Sequence, residues 1–181
     1  MENQKRKYEF SWDLVLSDTD DTRPRLGNST RLEVYRLFQF TIRDILEQRY
    51  GTEATDDIFR EAGAMAGKAF FEMFCEGVSD VNELAKLLQT KFREFGIGIV
   101  RFEKVDLENM EIQLTVDEDL DCSGLPDTSE QICVYDEGLI QGILEKFTGK
   151  KFVVREVDCW CTGERTCRFR AKLDNGGGNG V

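Results

Sequence analysis

Residues 121–167, with the sequence DCSGLPDTSEQICVYDEGLIQGILEKFTGKKFVVREVDCWCTGERTC, decide the fold of this chain. The stretch contains five of the six cysteines, namely Cys122, Cys133, Cys159, Cys161 and Cys167, while Cys75 lies far upstream. These cysteines fall in a polar loop, at the start of a predicted helix and on both sides of a predicted hairpin turn. Because helices and turns bring distant residues together, a fold can gather these thiols at one point.

The patterns around the cysteines alternate between strand and helix. Apolar residues at helical spacing, followed by Gly149, predict a helix over 133–147. Residues 151–159 and 166–173 predict two strands that are joined by the tight turn CTGERT. Upstream, residues 97–105 and the alternating residues around 112–116 predict a second hairpin.

Three further helices are predicted before these strands, over about residues 28–50, 52–75 and 79–95. Thr30 and Glu33 predict a capping box at the start of the first helix. The order of three helices, two strands, one helix and two strands indicates an α+β domain whose antiparallel sheet is covered by helices.

The domain organisation follows from this order of elements. We assign residues 1–27 to an extended N-terminal arm that packs on the body or on a second subunit. Residues 28–173 form the domain. The glycine-rich residues 174–181 form a flexible tail.

The composition argues for a globular domain in a reducing compartment. The chain has 181 residues and a formal net charge of −11, which argues against direct binding to nucleic acid. The N-terminus lacks the pattern of a signal peptide, and no run approaches the roughly 18 apolar residues of a membrane span. We therefore expect a cytoplasmic protein whose thiols stay reduced.

The chain contains no histidine, which excludes Ser-His-Asp and Cys-His catalysis and any Cys/His zinc site. A metal must then be held by sulfur, with or without a carboxylate. The four thiolates that a structural zinc ion needs are available, and either of two further residues is an alternate for one of them. The four are Cys122, Cys133, Cys159 and Cys167, and the alternates are Cys161 and Glu118. Spacing alone leaves open a set of small buried cysteines and a redox or iron–sulfur site.

The predicted helix over 133–147 also carries a candidate ligand site. Gly138 and Gly142 remove side chains from one stripe of this helix, while Leu139 and Ile143 keep it apolar. We expect a cavity for a small, mostly apolar molecule between this helix, the sheet and the upstream helices. Trp160, beside a candidate metal ligand, would report or gate its occupancy.

The first predicted helix is apolar over more of its surface than one core contact requires. Its apolar positions include Val34, Leu37, Phe38, Ile42 and Ile45. This breadth predicts a homodimer formed through the first helix and the arm, with a simple buried helix as the alternative.

The C-terminal third resembles the 4-vinyl reductase domain family. The resemblance is carried by CSGLP at 122–126, by DEGLIQGIL at 136–144 after Cys133, and by EVDCWCTGERTCRF at 156–169. It implies the fold of the trafficking-particle subunits, an apolar cavity, and a role as a small-molecule sensing module for regulators. In the phenol-sensing relatives, three cysteines and a glutamate hold zinc. Those cysteines have the separations of Cys133, Cys159 and Cys167, namely 26 and 8 residues. The glutamate comes from an upstream strand, so Cys122 or Glu118 would stand in for it.

We therefore expect a ligand-binding sensory or regulatory domain with structural zinc, fused to or acting with a downstream regulatory domain. The alternatives are a cysteine-based redox or iron–sulfur protein and a dimeric scaffold without a ligand. No catalytic constellation is found, so we do not expect an enzyme.

Overall fold

The computed structural model describes residues 7–16 and 23–174, and within them the predicted order of elements is confirmed. The helices are α1 (Trp12–Val15), α2 (Leu32–Tyr50), α3 (Thr52–Phe74), α4 (Val81–Phe95) and α5 (Val134–Thr148). The strands are β1 (Ile99–Asp106), β2 (Glu111–Asp117), β3 (Phe152–Asp158) and β4 (Cys167–Leu173). A 3-10 turn, Trp160–Thr162, lies between the last two strands. No helix within the described ranges is both long enough and apolar enough to cross a membrane.

The four strands form one antiparallel sheet in the order β1-β2-β4-β3. The two predicted hairpins are joined edge to edge, with Leu114 opposite Phe169 and Val116 opposite Cys167. Along β3 and β4 every second side chain is buried, so one face of the sheet forms the core. The α+β class with an antiparallel sheet covered by helices is confirmed.

Helix α5 lies between the sheet and α3, and its glycines face α3. A Cβ built on Gly138 would lie 2.1 Å from the Arg60 carbonyl oxygen, and one on Gly142 would lie 2.3 Å from that of Ala64. Such distances are far inside normal van der Waals contact, so the two helix backbones touch. The prediction that this glycine stripe leaves room for a ligand is wrong, because the backbone of α3 fills the space.

Two local predictions at the N-terminal side are also wrong. Helix α2 is capped by Arg31 without a side-chain cap, so the capping box of Thr30 and Glu33 does not form. The arm is not fully extended, because residues 12–15 make one helical turn. Its packing on the body is as expected, since the ring of Trp12 lies edge-on to Phe74 at 5.3 Å between centroids. The predicted tail lies outside the described residues apart from Asp174.

Candidate functional site

Four segments of the chain bring four cysteine sulfurs together. Cys122 follows β2, Cys133 caps the N-terminus of α5, Cys159 follows β3 and Cys167 begins β4. All four sulfurs lie within 4.8 Å of one another, and the four residues are at most 1% exposed. We call these four residues the cysteine cluster.

The spacing of these sulfurs fits a tetrahedral metal site. A Zn–S bond of about 2.3 Å places neighbouring sulfurs about 3.8 Å apart around a tetrahedral ion. The Sγ atom of Cys133 lies 3.9 Å from that of Cys159 and 3.8 Å from that of Cys167. The Cys122 and Cys167 sulfurs are closer, at 3.0 Å, but they are not bonded as a disulfide. The donor set therefore suits zinc, and the same four thiolates also suit iron.

The charges within the cysteine cluster are unevenly distributed. Hydrogen bonds from the thiols of Cys122, Cys133 and Cys167 hold the pKa of Cys159 far below its ordinary value. The pKa of Cys133 is raised by the neighbouring cysteines, first Cys122, and by burial. The cluster thus favours one thiolate that is surrounded by thiols, and a divalent cation would compensate further ionisation.

The two alternate metal ligands lie outside this group. Cys161 is buried, but the 3-10 turn breaks the strand after Asp158, so its sulfur is not among the four. Glu118 is exposed and has a positive φ of 52°. The following residue, Asp119, is turned inward instead, with its Oδ1 atom 3.8 Å from the Cys133 sulfur.

Two buried carboxylates beside the cysteine cluster were not found from the sequence. Asp119 Oδ1 accepts the backbone N–H groups of Asp121 at 2.8 Å and Cys122 at 3.2 Å, and so shapes the loop that carries Cys122. Glu156 accepts the Cys133 N–H at 3.3 Å, and burial, followed by the charge of Cys159, raises the pKa of Glu156 to about 9. Glu156 stands three residues before Cys159 in the quoted motif, a signal that could have identified it.

A cavity of about 550 Å³ lies on the other side of Asp119, between the arm, α2, α3 and the first turns of α5. Its walls are mostly apolar and aromatic, and they include Trp12, Phe38, Ile42, Phe59 and Phe70. Leu139 lines it as predicted. The sheet strands contribute none of the lining residues, so the predicted position between α5 and the sheet is wrong.

One end of the cavity is polar and acidic. The hydroxyl of Tyr35 donates to Asp121 Oδ1 at 2.7 Å, while Asp121 Oδ2 and Gln39 Oε1 have no hydrogen-bond partner. Asp136 also lines this end, and burial, together with the charge of Asp119, raises its pKa well above the usual range. Burial and the charge of Asp119 raise the pKa of Asp121 to about 6.

The remaining predicted ligand residues do not line this cavity. Gly138 and Gly142 contact the backbone of α3, and Ile143 belongs to the core beneath the sheet. Trp160 lies beside the cysteine cluster, where its Nε1 donates to the Leu125 carbonyl oxygen at 3.0 Å. Trp160 is therefore placed to fasten the loop before α5.

The comparison with known sequences identifies relatives in one archaeon. The uncharacterized protein MJ1642 of Methanocaldococcus jannaschii is 33% identical over 88 residues, which cover 49% of this chain and 52% of that protein. The chain therefore spans about half the length of this relative. A second uncharacterized protein of that organism, MJ0150, is 25% identical over 150 residues, which cover 83% of this chain and 80% of that protein.

Three solved structures share the fold. The phenol-responsive sensory domain of the transcription activator PoxR, solved with phenol, has a TM-score of 0.63 at 16% identity, covering 80% of this chain and 75% of that one. A vinyl-4-reductase family protein from Methanocaldococcus jannaschii has a TM-score of 0.59 at 17% identity, with coverages of 94% and 100%. Subunit 3 of a trafficking protein particle complex from Naegleria fowleri, covalently bound to palmitic acid, has a TM-score of 0.59 at 18% identity, with coverages of 80% and 95%.

The predicted likeness to the trafficking-particle subunits is therefore confirmed for the fold. Residues 112–173, which include the whole cysteine cluster, match the family model of the 4-vinyl reductase domain, so the resemblance to that family is confirmed.

Proposed function

We propose that this protein is a sensory domain that binds a small, mostly apolar molecule and is braced by a zinc ion in the cysteine cluster. The observation that carries this proposal is the cavity of about 550 Å³ with apolar walls and one polar end. Ligand sites for small molecules have volumes of about 300–1,000 Å³ and combine apolar walls with a few placed polar groups. The sensory domain of PoxR, which shares the fold and was solved with phenol, is consistent with this use of the architecture.

In this proposal zinc has a structural role. Cys122, Cys133, Cys159 and Cys167 would hold it, and bound zinc would contribute on the order of 10 kcal/mol to folding. The same loop carries Cys122 and, next to it, Asp121 at the polar end of the cavity. The cysteine cluster would therefore fix one wall of the ligand site.

Filling the cavity tests the ligand proposal. Ala66 is a half-buried wall residue on α3, so Ala66→Phe should occupy the space that the ligand needs. Ala54→Phe, at an exposed position of the same helix outside the cavity, is the matched control. We expect the neutral fluorescent probe N-phenyl-1-naphthylamine to bind the unmodified chain and the control, and to bind Ala66→Phe at least tenfold more weakly. Equal binding to all three, or no binding to the unmodified chain, would contradict the proposal.

Replacing single cysteines tests the metal site. We expect elemental analysis to find one zinc per chain, which Cys133→Ser removes. Cys161→Ser is the matched control, because Cys161 is equally buried but lies outside the cysteine cluster. Iron with sulfide, or well-folded protein without metal, would favour the iron–sulfur or redox alternative. The 3.0 Å between the Cys122 and Cys167 sulfurs makes that pair the first candidate for oxidation.

A dimeric scaffold is the second candidate function, and exposed apolar residues on α2 favour it. Leu37 and Phe38 are 67% and 68% exposed, and Val34 is 56% exposed. Isolated surface apolar residues are common, but several on one helix face are typical of an interface. We propose a homodimer through this face, and Leu37→Glu should convert it to monomer. Light scattering that gives a mass near 20.8 kDa for the unmodified chain would contradict the dimer.

The proposal keeps a cytoplasmic location, since thiolates must stay reduced to hold zinc. It includes neither catalysis nor binding to nucleic acid.

A further inference from the structure

We propose that the ligand carries a hydrogen-bond-donating head group, a hydroxyl or an amine, which Asp121 and Gln39 bind at the polar end of the cavity. This inference rests on the proposed function, because it names the chemical class of the molecule that the cavity takes. It also excludes apolar molecules whose head is a carboxylate.

The unsatisfied acceptors at this end carry the inference. Asp121 is 2% exposed and lines the cavity, and while its Oδ1 accepts from Tyr35, its Oδ2 has no partner. Gln39 is 9% exposed, lines the same end, and its Oε1 has no partner either. Buried acceptors without donors destabilise a fold, so such atoms are paired in most proteins. A ligand that donates hydrogen bonds here supplies what the chain lacks.

The charges of the cavity select against anionic ligands. The lining residues within the described chain include Asp121 and Asp136 but no lysine or arginine. The nearby guanidinium group of Arg36 is bound to backbone, donating to the Leu120 carbonyl oxygen at 3.1 Å and to that of Ser123 at 2.8 Å. A carboxylate head would meet acceptors and like charge, whereas an amine or a hydroxyl would meet complementary groups.

The position of the polar groups sets the form of the ligand. Aromatic and aliphatic side chains from the arm, α2 and α3 form the rest of the wall. The bound molecule is therefore apolar over its body and polar at one end only. An uncharged apolar molecule would fill the walls but leave Asp121 and Gln39 unpaired.

A series of ligands with one body and different heads tests this inference. Decylamine, decanol, the methyl ether of decanol and decanoate are compared by calorimetry and by displacement of N-phenyl-1-naphthylamine. We expect decylamine and decanol to bind about tenfold more tightly than the ether, which lacks the donor hydrogen, and decanoate to bind most weakly. The stronger of the first two identifies the head as charged or neutral.

A matched pair of variants assigns the effect to Gln39. Gln39→Leu removes one acceptor with little change of volume and should reduce the preference for decanol over its ether by about fivefold. Gln48→Leu makes the same substitution at an exposed position of α2 and should leave the preference unchanged.

The failure of this inference is distinct from the failure of the proposed function. If the ether binds as tightly as decanol, or decanoate binds most tightly, the donor head is refuted while ligand binding stands. If none of the four compounds binds and the fluorescent probe does not bind, both proposals are refuted.

Discussion

Replacing Gly142 by alanine should destabilise the protein, although alanine is the better helix former. The new Cβ would lie 2.3 Å from the Ala64 carbonyl oxygen and 2.8 Å from the Lys68 backbone nitrogen. Both atoms belong to the backbone of α3, so no side-chain rotation relieves the contact, and the helices must separate by about 1 Å. Overpacking of this kind costs about 1–3 kcal/mol.

The gain in helix propensity offsets part of this cost. Alanine is favoured over glycine in a helix interior by about 1 kcal/mol. We therefore expect Gly142→Ala to lower the free energy of unfolding by about 1–2 kcal/mol, measured by urea denaturation at fixed zinc concentration. In a chain of this size the midpoint of thermal unfolding should fall by roughly 2–4 °C for each kcal/mol.

A second substitution distinguishes a backbone contact from a side-chain contact. Ala64→Gly removes the side chain nearest to the new methyl group but leaves the carbonyl oxygen in place. The double variant Gly142→Ala/Ala64→Gly should therefore show no rescue, with the two losses adding. A neutral or stabilising Gly142→Ala, or a rescue by Ala64→Gly, would refute the backbone contact between α5 and α3 and return the space beside Gly142 to consideration as a ligand site.

Three further predictions follow from the site and the core. Asp119→Ala should weaken zinc binding by about 10–100-fold in a chelator competition, because Asp119 orients the loop that carries Cys122; unchanged affinity would contradict this. Trp12→Phe should abolish the ligand-dependent change in tryptophan fluorescence, since Trp12 lines the cavity, whereas Trp160→Phe should retain it; the opposite pattern would place the ligand near the cysteine cluster. Burial raises the pKa of Cys75 from 9.0 to about 11, so the folded state keeps a proton that the unfolded state loses. The free energy of unfolding should therefore fall as the pH rises from 9 to 11, by up to about 3 kcal/mol. Cys75→Ala should remove that part of the dependence, and identical pH profiles for both chains would refute it.

The sequence by itself determined the order of the elements and most of their ends. Helical and strand periodicities are properties of consecutive residues, and glycines such as Gly96 and Gly149 end helices through their own left-handed backbone conformation. The four cysteines that the structure brings together were also the first choice from the sequence. They could be chosen because each lies at the end of a predictable element, and the two hairpins fix which ends meet.

Tertiary structure decided where the cavity lies and what surrounds the cysteine cluster. A glycine stripe removes side chains from a helix face, but it does not say whether a ligand or another helix approaches; here α3 does, so the cavity formed beside α2 and the arm instead. Asp119 and Glu156 lie beside the cysteine cluster because chain segments far apart in sequence pack together, a relation that no local period encodes. Cys161 was excluded by a single 3-10 turn, which rotates its sulfur away from the face that a regular strand would have shared with Cys159. Local periodicity fixes which residues share a face of one element, and only packing fixes what that face meets.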